Sequence, residues 1–176
     1  MRIVGGRHAG RNLTSPGRRV RPTAEDVRVQ WMEWLGDDVI KGARVLELCA
    51  GTGALGLEAL SRGARYVDFV ERHPAALHSL KANVKALRET DRARIFKRDA
   101  VPFTERLNEG AYDLVLVDPP YGSGLAALLL DQWKERRYAP MFVLEHATDH
   151  EVPRGARTLS LGDTTVTRYE IGAQSG

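Results

Sequence analysis

The chain has 176 residues, of which 43% are hydrophobic and 28% charged, and its formal net charge is +3. This length favours one domain with a core of its own. No run of 18 apolar residues predicts a membrane span, and the first residues lack the apolar segment of a signal peptide. The single cysteine, Cys49, cannot pair within the chain, which fits a reducing compartment. We therefore expect a cytoplasmic protein, with a monomer as the default.

Positive charge is concentrated near the amino terminus. Residues 1–28 hold seven arginines against only Glu25 and Asp26, so the remainder of the chain is slightly acidic. A basic arm beside a near-neutral body favours a polyanionic partner. The alternative is a solvated tail in an arginine-rich protein.

The predicted elements begin with a small hairpin. Short strands are expected at 2–4 and 11–13, joined by a turn at Gly5-Gly6. Thr23 is then expected to cap a helix over residues 24–35. We treat residues 1–22 as a hairpin and basic arm, and residues 23–176 as the main domain of one compact unit.

From residue 43 onwards, apolar strands alternate with helices. Strands are predicted at 44–48, 66–70, 93–98, 112–117, 140–145, 158–161 and 164–171, and helices at 54–61, 74–87, 103–107 and 125–133. This alternation predicts an α/β, Rossmann-like fold, in which a mostly parallel seven-stranded sheet carries helices on both faces. A tight turn at Gly162-Asp163 predicts a final hairpin that adds an antiparallel edge strand.

A glycine-rich turn follows the first of these strands. Gly51 and Gly53 would let a ligand approach the backbone, with amides and a helix N-terminus facing it. Together with Gly56, they match the pattern of dinucleotide-binding proteins. Glu71 ends the next strand twenty residues after Gly51, where a carboxylate would accept hydrogen bonds from both hydroxyls of a ribose.

Two cofactors suit this turn. A nicotinamide dinucleotide would place its pyrophosphate there, whereas S-adenosylmethionine would place its amino-acid end there. Glu47 favours the second, because a carboxylate repels a pyrophosphate and attracts an ammonium or sulfonium group. Asp99 is a candidate acceptor for the adenine amino group, and it could equally be a helix cap or turn residue. A plain strand-to-helix connection is the remaining alternative for the turn.

The most specific motif is Asp118-Pro119-Pro120-Tyr121, directly after an apolar strand. The prolines fix the backbone and remove two N–H donors, so an Asp carboxylate and a nearby carbonyl can accept both hydrogens of an amino group. The Tyr121 ring offers a stacking surface for a base. The motif therefore predicts methylation of an exocyclic amine, in which positioning is most of the task. A rigid proline turn without chemistry is the alternative.

Such an amine is inaccessible inside a duplex, so the base must leave its stack. Loops and single strands of RNA offer such bases at low cost. The arginine-rich arm would bind phosphates nearby. We therefore expect a nucleic-acid partner, and RNA rather than DNA.

The chain resembles a known family over nearly its whole length, the RsmD family of bacterial 16S rRNA guanine-N2 methyltransferases. The stretches that carry the resemblance are Met1-Arg2-Ile3-Val4-Gly5-Gly6, Gly10-Arg11, Arg21-Pro22-Thr23, Val27-Arg28, 46–53, 54–64, Asp118-Pro119-Pro120-Tyr121 and Glu145-His146. The acids Glu25-Asp26 and the pair Val29-Gln30 depart from the family pattern. Glu145 and His146 could touch substrate or simply end a core strand.

The resemblance implies a class I S-adenosylmethionine-dependent methyltransferase that needs no metal. It also implies a target at the guanine conventionally numbered 966, in small-subunit particles during their assembly. The residues it assigns to the cofactor are Thr23, Glu47, Ala50, Gly51, Gly53, Glu71, Arg72, Asp99, Ala100 and Asp118. It assigns catalysis to Asp118, Pro119, Pro120 and Tyr121, and RNA contacts to Arg7, Arg11, Arg21, Arg28 and Tyr121.

Three other functions stay open at this point. An adenine-N6 methyltransferase acting on RNA or DNA would use the same motif on another base. A nicotinamide oxidoreductase would use the glycine turn but leaves Asp118 to Tyr121 without a role. A non-catalytic RNA-binding assembly factor would need neither the turn nor the motif for chemistry.

Overall fold

A computed structural model of the chain describes residues 1–15, 22–155 and 157–172. Arg21 and the side chain of Thr23, which were predicted to lie near RNA and cofactor respectively, fall outside the described residues and side chains. The helices are α1 (Pro22–Leu35), α2 (Asp37–Ile40), α3 (Ala54–Ser61), α4 (Pro74–Ala86), α5 (Ala100–Thr104) and α6 (Leu125–Arg136). The strands are β1 (Arg44–Leu48), β2 (Tyr66–Glu71), β3 (Ala93–Lys97), β4 (Leu114–Val117), β5 (Met141–Ala147), β6 (Arg157–Leu161) and β7 (Thr164–Glu170).

The seven strands form one sheet in the order β3-β2-β1-β4-β5-β7-β6. The five strands from β3 to β5 are parallel, and β7 is antiparallel to both β5 and β6. The predicted fold class is therefore confirmed. The strand order reverses between β1 and β4, and a crevice at such a switch point is where open α/β sheets bind ligands.

Both faces of the sheet are covered, which explains why its central strands are apolar throughout rather than alternating. On one face, Val45 of β1 belongs to a core cluster that includes Trp31 of α1 and Leu80 of α4. On the other face, its neighbour Leu46 belongs to a cluster that includes Trp133 of α6. In the described part of the chain, no helix is long and apolar enough to cross a membrane.

The amino-terminal segment pairs with itself less than predicted. Arg2 and Asn12 form an isolated antiparallel bridge, and the connection between them contains a 3₁₀ helix, Gly6–His8, instead of a turn at Gly5-Gly6. The reason is tertiary, because the amides of Val4 and Gly5 donate to the carboxylate of Glu58 in α3. These bonds fix Val4 and Gly5 against α3, and the segment closes through backbone hydrogen bonds that join Ile3 to Arg11 and Met1 to Leu13.

Three further predictions need correction. Helix α1 begins at Pro22, so Thr23 lies in its first turn and is not its N-cap; proline is favoured at that position. The helix predicted at 103–107 runs instead from Ala100 to Thr104, directly after Asp99. The antiparallel strand β7 lies inside the sheet, and β6 forms the edge.

Candidate active site

The glycine turn after β1 presents its backbone to open space. Gly51 and Gly53 have φ values of +55° and +77°, a region that favours glycine. A Cβ atom built on Gly51 would meet nothing within 4 Å, whereas one on Gly53 would overlap the side chain of Leu80. Gly53 is thus required by packing, and Gly51 leaves the turn accessible to a ligand.

Glu47 lies in β1 just before this turn and is 3% exposed. Its Oε2 accepts a hydrogen bond from the amide of Gly56 at 2.9 Å. A Cβ at position 56 would lie 2.6 Å from the same oxygen, so the third glycine of the motif makes room for the carboxylate. Burial, with a smaller repulsion from Asp118, raises the pKa of Glu47 to about 8. A cation placed beside Glu47 would favour its ionised form.

Glu71 ties the glycine turn to the end of β2. Its Oε2 accepts from the amide of Gly51 at 2.8 Å, and its Oε1 accepts from the amides of Arg72 and His73, both at 2.7 Å. Further along the same edge, the exposed side chains of Arg72 and Asp99 form an ion pair of 3.0 Å. The residues predicted for ribose and adenine therefore continue in a row beyond the turn.

Asp118 and Tyr121 form a corner after β4. Val117 pairs with Leu48 of β1 on one side and Leu144 of β5 on the other, so Asp118 emerges at the carboxyl edge beside the glycine turn. The carbonyl of Pro120 accepts from the amide and hydroxyl of Ser123, at 3.4 and 2.6 Å. Within the described residues, no hydrogen bond reaches the carbonyl of Pro119. Of the two proline carbonyls, that of Pro119 is therefore the candidate for the predicted second acceptor beside the Asp118 carboxylate.

The hydroxyl group of Tyr121 is hydrogen-bonded, and its residue is exposed to solvent. Its hydroxyl donates to Glu145 Oε1 at 3.3 Å and lies 3.1 Å from Thr164 Oγ1. The residue is 55% exposed, although an aromatic side chain of this size is usually more buried. A fixed, exposed ring beside two carboxylates suits the stacking of a flat ligand.

The glycine turn and the corner line one cavity of about 560 Å³. Among the predicted site residues, its walls contain Arg28, Glu47, Ala50, Gly51, Asp118 and Tyr121. Gly53, Glu71, Arg72, Asp99, Ala100, Pro119 and Pro120 are not among its lining residues. The glycine turn and the Asp118–Tyr121 corner therefore lie at the same edge of the sheet, as an in-line methyl transfer between them requires.

The cavity is acidic. Glu47, Asp118, Glu145 and Asp163 face it, against Arg28 as the one basic residue among its described lining residues. Asp118 keeps accessible surface because it faces the cavity, and the surrounding protein raises its pKa. Burial and the charge of Asp118 raise the pKa of Glu145 as well. These carboxylates favour a ligand with cationic groups and disfavour a pyrophosphate.

The predicted RNA contacts divide into two places. Arg28 is only 4% exposed; it lines the cavity and donates to the carbonyl of Arg2, so it does not present its charge to an open surface. Arg7 and Arg11 line a different recess of about 450 Å³, together with Arg88. Arg7 pairs there with the buried carboxylate of Glu89.

Several residues of the cavity were not found from the sequence. Trp31 of α1 and the β6–β7 turn, which includes Leu161 and Thr164, form walls of the cavity. They come from distant parts of the chain and carry no local motif. Glu145, for which the sequence left a substrate contact or the end of a core strand open, lies within β5 and lines the cavity.

This sheet order, with a glycine turn after β1 and an Asp-Pro-Pro-Tyr corner after β4 facing one acidic cavity, defines a class I S-adenosylmethionine-dependent methyltransferase. The model of one protein family, described as "Conserved hypothetical protein 95", matches residues 1–169. The chain belongs to this family, which is the RsmD family.

Individual relatives agree with this assignment. YlbH of Bacillus subtilis (strain 168) is 33% identical over 182 residues, which cover all of this chain and 96% of YlbH. Ribosomal RNA small subunit methyltransferase D of Escherichia coli (strain K12) is 39% identical over 128 residues, covering 71% of this chain and 62% of that protein.

Solved structures show the same architecture. The structure of yhhF from Escherichia coli superposes with a TM-score of 0.83 at 31% identity, over 97% of each chain. The Thermus thermophilus 16S rRNA N2 G1207 methyltransferase, solved with AdoMet and guanosine, superposes with a TM-score of 0.70 at 24% identity, over 88% of this chain and 44% of that one. The second likeness concerns the fold alone.

Proposed function

We propose that this protein transfers a methyl group from S-adenosylmethionine to the exocyclic N2 of a guanine in the RNA of the small ribosomal subunit. The substrate class is supported by relatives such as the Escherichia coli ribosomal RNA small subunit methyltransferase D. The resemblance to the RsmD family points to guanine 966 of 16S rRNA in assembling particles, and a monomer is our default for the enzyme. The observation that carries the proposal is the shared cavity between the glycine turn and Asp118.

The cofactor would be held at the end of β1. Glu47 supplies a buried carboxylate for its cationic part, and the accessible backbone at Ala50 and Gly51 accommodates its amino-acid end. Arg28, which is the basic residue among the described lining residues of the cavity, would face the cofactor carboxylate. Glu71 and Asp99 extend along the edge towards the ribose and adenine. When bound, S-adenosylmethionine supplies an electrophilic methyl group.

The target amine would be held at the end of β4. The carboxylate of Asp118, which lines the cavity, would accept one hydrogen. The carbonyl of Pro119, which lines a small adjoining recess with Tyr121 and Glu145, would accept the other, and the two bonds would free the nitrogen lone pair from the ring. The Tyr121 ring stacks on the base and limits its orientation. In the transfer, the nitrogen would bond to the methyl carbon as the carbon–sulfur bond of the cofactor breaks, which leaves S-adenosylhomocysteine. The nitrogen, now positively charged, would then lose one proton to Asp118 or to water.

The amino-terminal arginines would bind the RNA around the target. Arg7 and Arg11 line a recess that does not share a residue with the cavity, so they can contact phosphates while the base occupies the site. Such contacts release counterions and make RNA affinity fall with salt. They position the RNA and do not choose the base.

The test is to incubate the protein with methyl-labelled S-adenosylmethionine and small-subunit particles or RNA lacking the modification, and then to identify the labelled nucleoside. We expect N2-methylguanosine at a single position. Labelled N6-methyladenosine, or label found only in DNA, would refute guanine-N2 specificity. Calorimetry with S-adenosylhomocysteine and with NAD separates methyl transfer from nicotinamide chemistry. We expect S-adenosylhomocysteine to bind and NAD not to bind.

A further inference from the structure

A second carboxylate lies beside Asp118, and the reaction as proposed does not use it. Leu144 of β5 pairs with Val117 of β4, so the next residues along, Glu145 and Asp118, follow neighbouring parallel strands at the same level. Adjacent strands lie about 4.8 Å apart, and paired positions present their side chains to one face. Both side chains line the cavity, and Glu145 also accepts from the Tyr121 hydroxyl.

Two neighbouring carboxylate acceptors would complement the hydrogen-bonding edge of guanine. Guanine carries two neighbouring donors on that edge, the N2 amine and the N1–H. Adenine and 2-aminopurine also carry an amine there, but the ring nitrogen next to it is an acceptor. A carboxylate facing that nitrogen would pair with guanine and would be repelled by the lone pair of the others.

We propose that Glu145 selects guanine by accepting the N1–H hydrogen bond while Asp118 holds the adjacent amine. This inference rests on the proposed guanine-N2 activity and names the residue that fixes the base. Burial and the charge of Asp118 raise the pKa of Glu145 to about 8, so base selection is measured above that pH, where the carboxylate is ionised. There a base without a donor at N1 leaves a charged acceptor unpaired, which is a costly arrangement. Tyr121 keeps the ring plane in place by stacking, and Glu145 reads the edge.

The competing account is that Glu145 only holds Tyr121 in position through the 3.3 Å hydrogen bond. The Tyr121→Phe variant separates the two accounts, because it removes that hydrogen bond and keeps both the ring and the carboxylate. If Glu145 acts only through Tyr121, then Tyr121→Phe and Glu145→Gln must have the same effect on base selection. If Glu145 reads the base, only the second variant changes it.

The experiment compares an RNA carrying guanine at the target position with the same RNA carrying 2-aminopurine there. For the wild type we expect kcat/KM to favour guanine about a hundredfold, from the loss of a charged hydrogen bond. Glu145→Gln should reduce this preference to a few-fold, since a glutamine amide can face either a donor or an acceptor. Tyr121→Phe should slow both substrates and keep the preference. Glu145→Asp, which retains the charge, should keep guanine preferred at a lower rate.

Folding of each variant is checked by its melting temperature and its binding of S-adenosylhomocysteine. An unchanged guanine preference in Glu145→Gln, or an equal loss of preference in Tyr121→Phe, would overturn the role of Glu145. Neither result would touch the proposed function as long as the wild type still makes N2-methylguanosine. Formation of N6-methyladenosine by the wild type would instead overturn the proposed function and this selection with it.

Discussion

Replacing Glu47 by glutamine should stabilise the free protein above neutral pH and weaken its binding of S-adenosylmethionine. The wild-type carboxylate is 3% exposed, and burial is the main reason that its pKa rises to about 8. Glutamine has nearly the same shape, and its oxygen can still accept the hydrogen bond from the amide of Gly56. The change therefore removes the charge and keeps the packing.

The magnitude follows from the pKa of Glu47 in the folded and unfolded protein. Because folding raises the pKa from its ordinary 4.5 to about 8, the protonated acid is favoured in the fold, and wild-type stability falls as pH rises through this window. At about 1.4 kcal/mol per tenfold change, the cost reaches on the order of 5 kcal/mol above pH 8 as an upper limit. With relaxation around the charge, we expect Glu47→Gln to gain roughly 2 to 4 kcal/mol at pH 8.5 and almost nothing near pH 4.5.

Urea unfolding of both proteins at pH 5 and pH 8.5 measures this difference, without cofactor. Glu58→Gln is the matched control, because Glu58 is equally buried but pairs with Arg62 and accepts from two backbone amides. That variant should lose stability at both pH values. If Glu47→Gln is no more stable than the wild type at pH 8.5, the reasoning about an unpaired buried charge is wrong.

Three more changes test other parts of the site. Gly56→Ala should cost about 2 kcal/mol of stability or more, seen as a lower melting temperature, because its Cβ would lie 2.5 Å from the Phe69 ring and 2.6 Å from the Glu47 carboxylate. Replacing both Arg7 and Arg11 by glutamate should weaken RNA binding and flatten its salt dependence, with cofactor affinity unchanged. Single-turnover methyl transfer should be lost on acidification at a higher pH than an ordinary aspartate would give, because Asp118 must be ionised and the surrounding protein raises its pKa.

Each of these has a result that contradicts it. An alanine at position 56 that leaves the melting temperature unchanged would mean that the side chains of Glu47, Val67 and Phe69 all have room to move. If the double arginine variant keeps the RNA affinity and salt dependence of the wild type, the recess is not part of the RNA-binding surface. A transfer rate that is flat down to pH 4 would show that the ionisation of Asp118 does not limit the reaction.

The sequence predicts the centre of this fold better than its margins. Strand β1 and helix α3 have the bounds expected from the sequence, because an apolar run and a helix are separated there by glycines that fix the turn. The prediction of a turn at Gly5-Gly6 was wrong, because the amides of Val4 and Gly5 bind Glu58, more than fifty residues away. No local pattern contains such a contact.

The candidate site shows the same limit. The proximity of Glu47 and Asp118 follows from the strand order, because β1 and β4 are neighbours at the switch point. The position of Arg28 does not follow, because it depends on how α1 packs across the cavity. The positive charge of Arg28 suggests a position on an RNA-binding surface. Only the packing of α1 shows that Arg28 lines the cavity.

The most direct test of the central claim is to measure cofactor binding and methyl transfer separately in Asp118→Ala. The account assigns the glycine turn to the cofactor and the carboxylate of Asp118 mainly to the target amine, with both in one cavity. It predicts that the variant still binds S-adenosylmethionine measurably and forms no N2-methylguanosine in small-subunit RNA. Transfer at the wild-type rate by Asp118→Ala would contradict it.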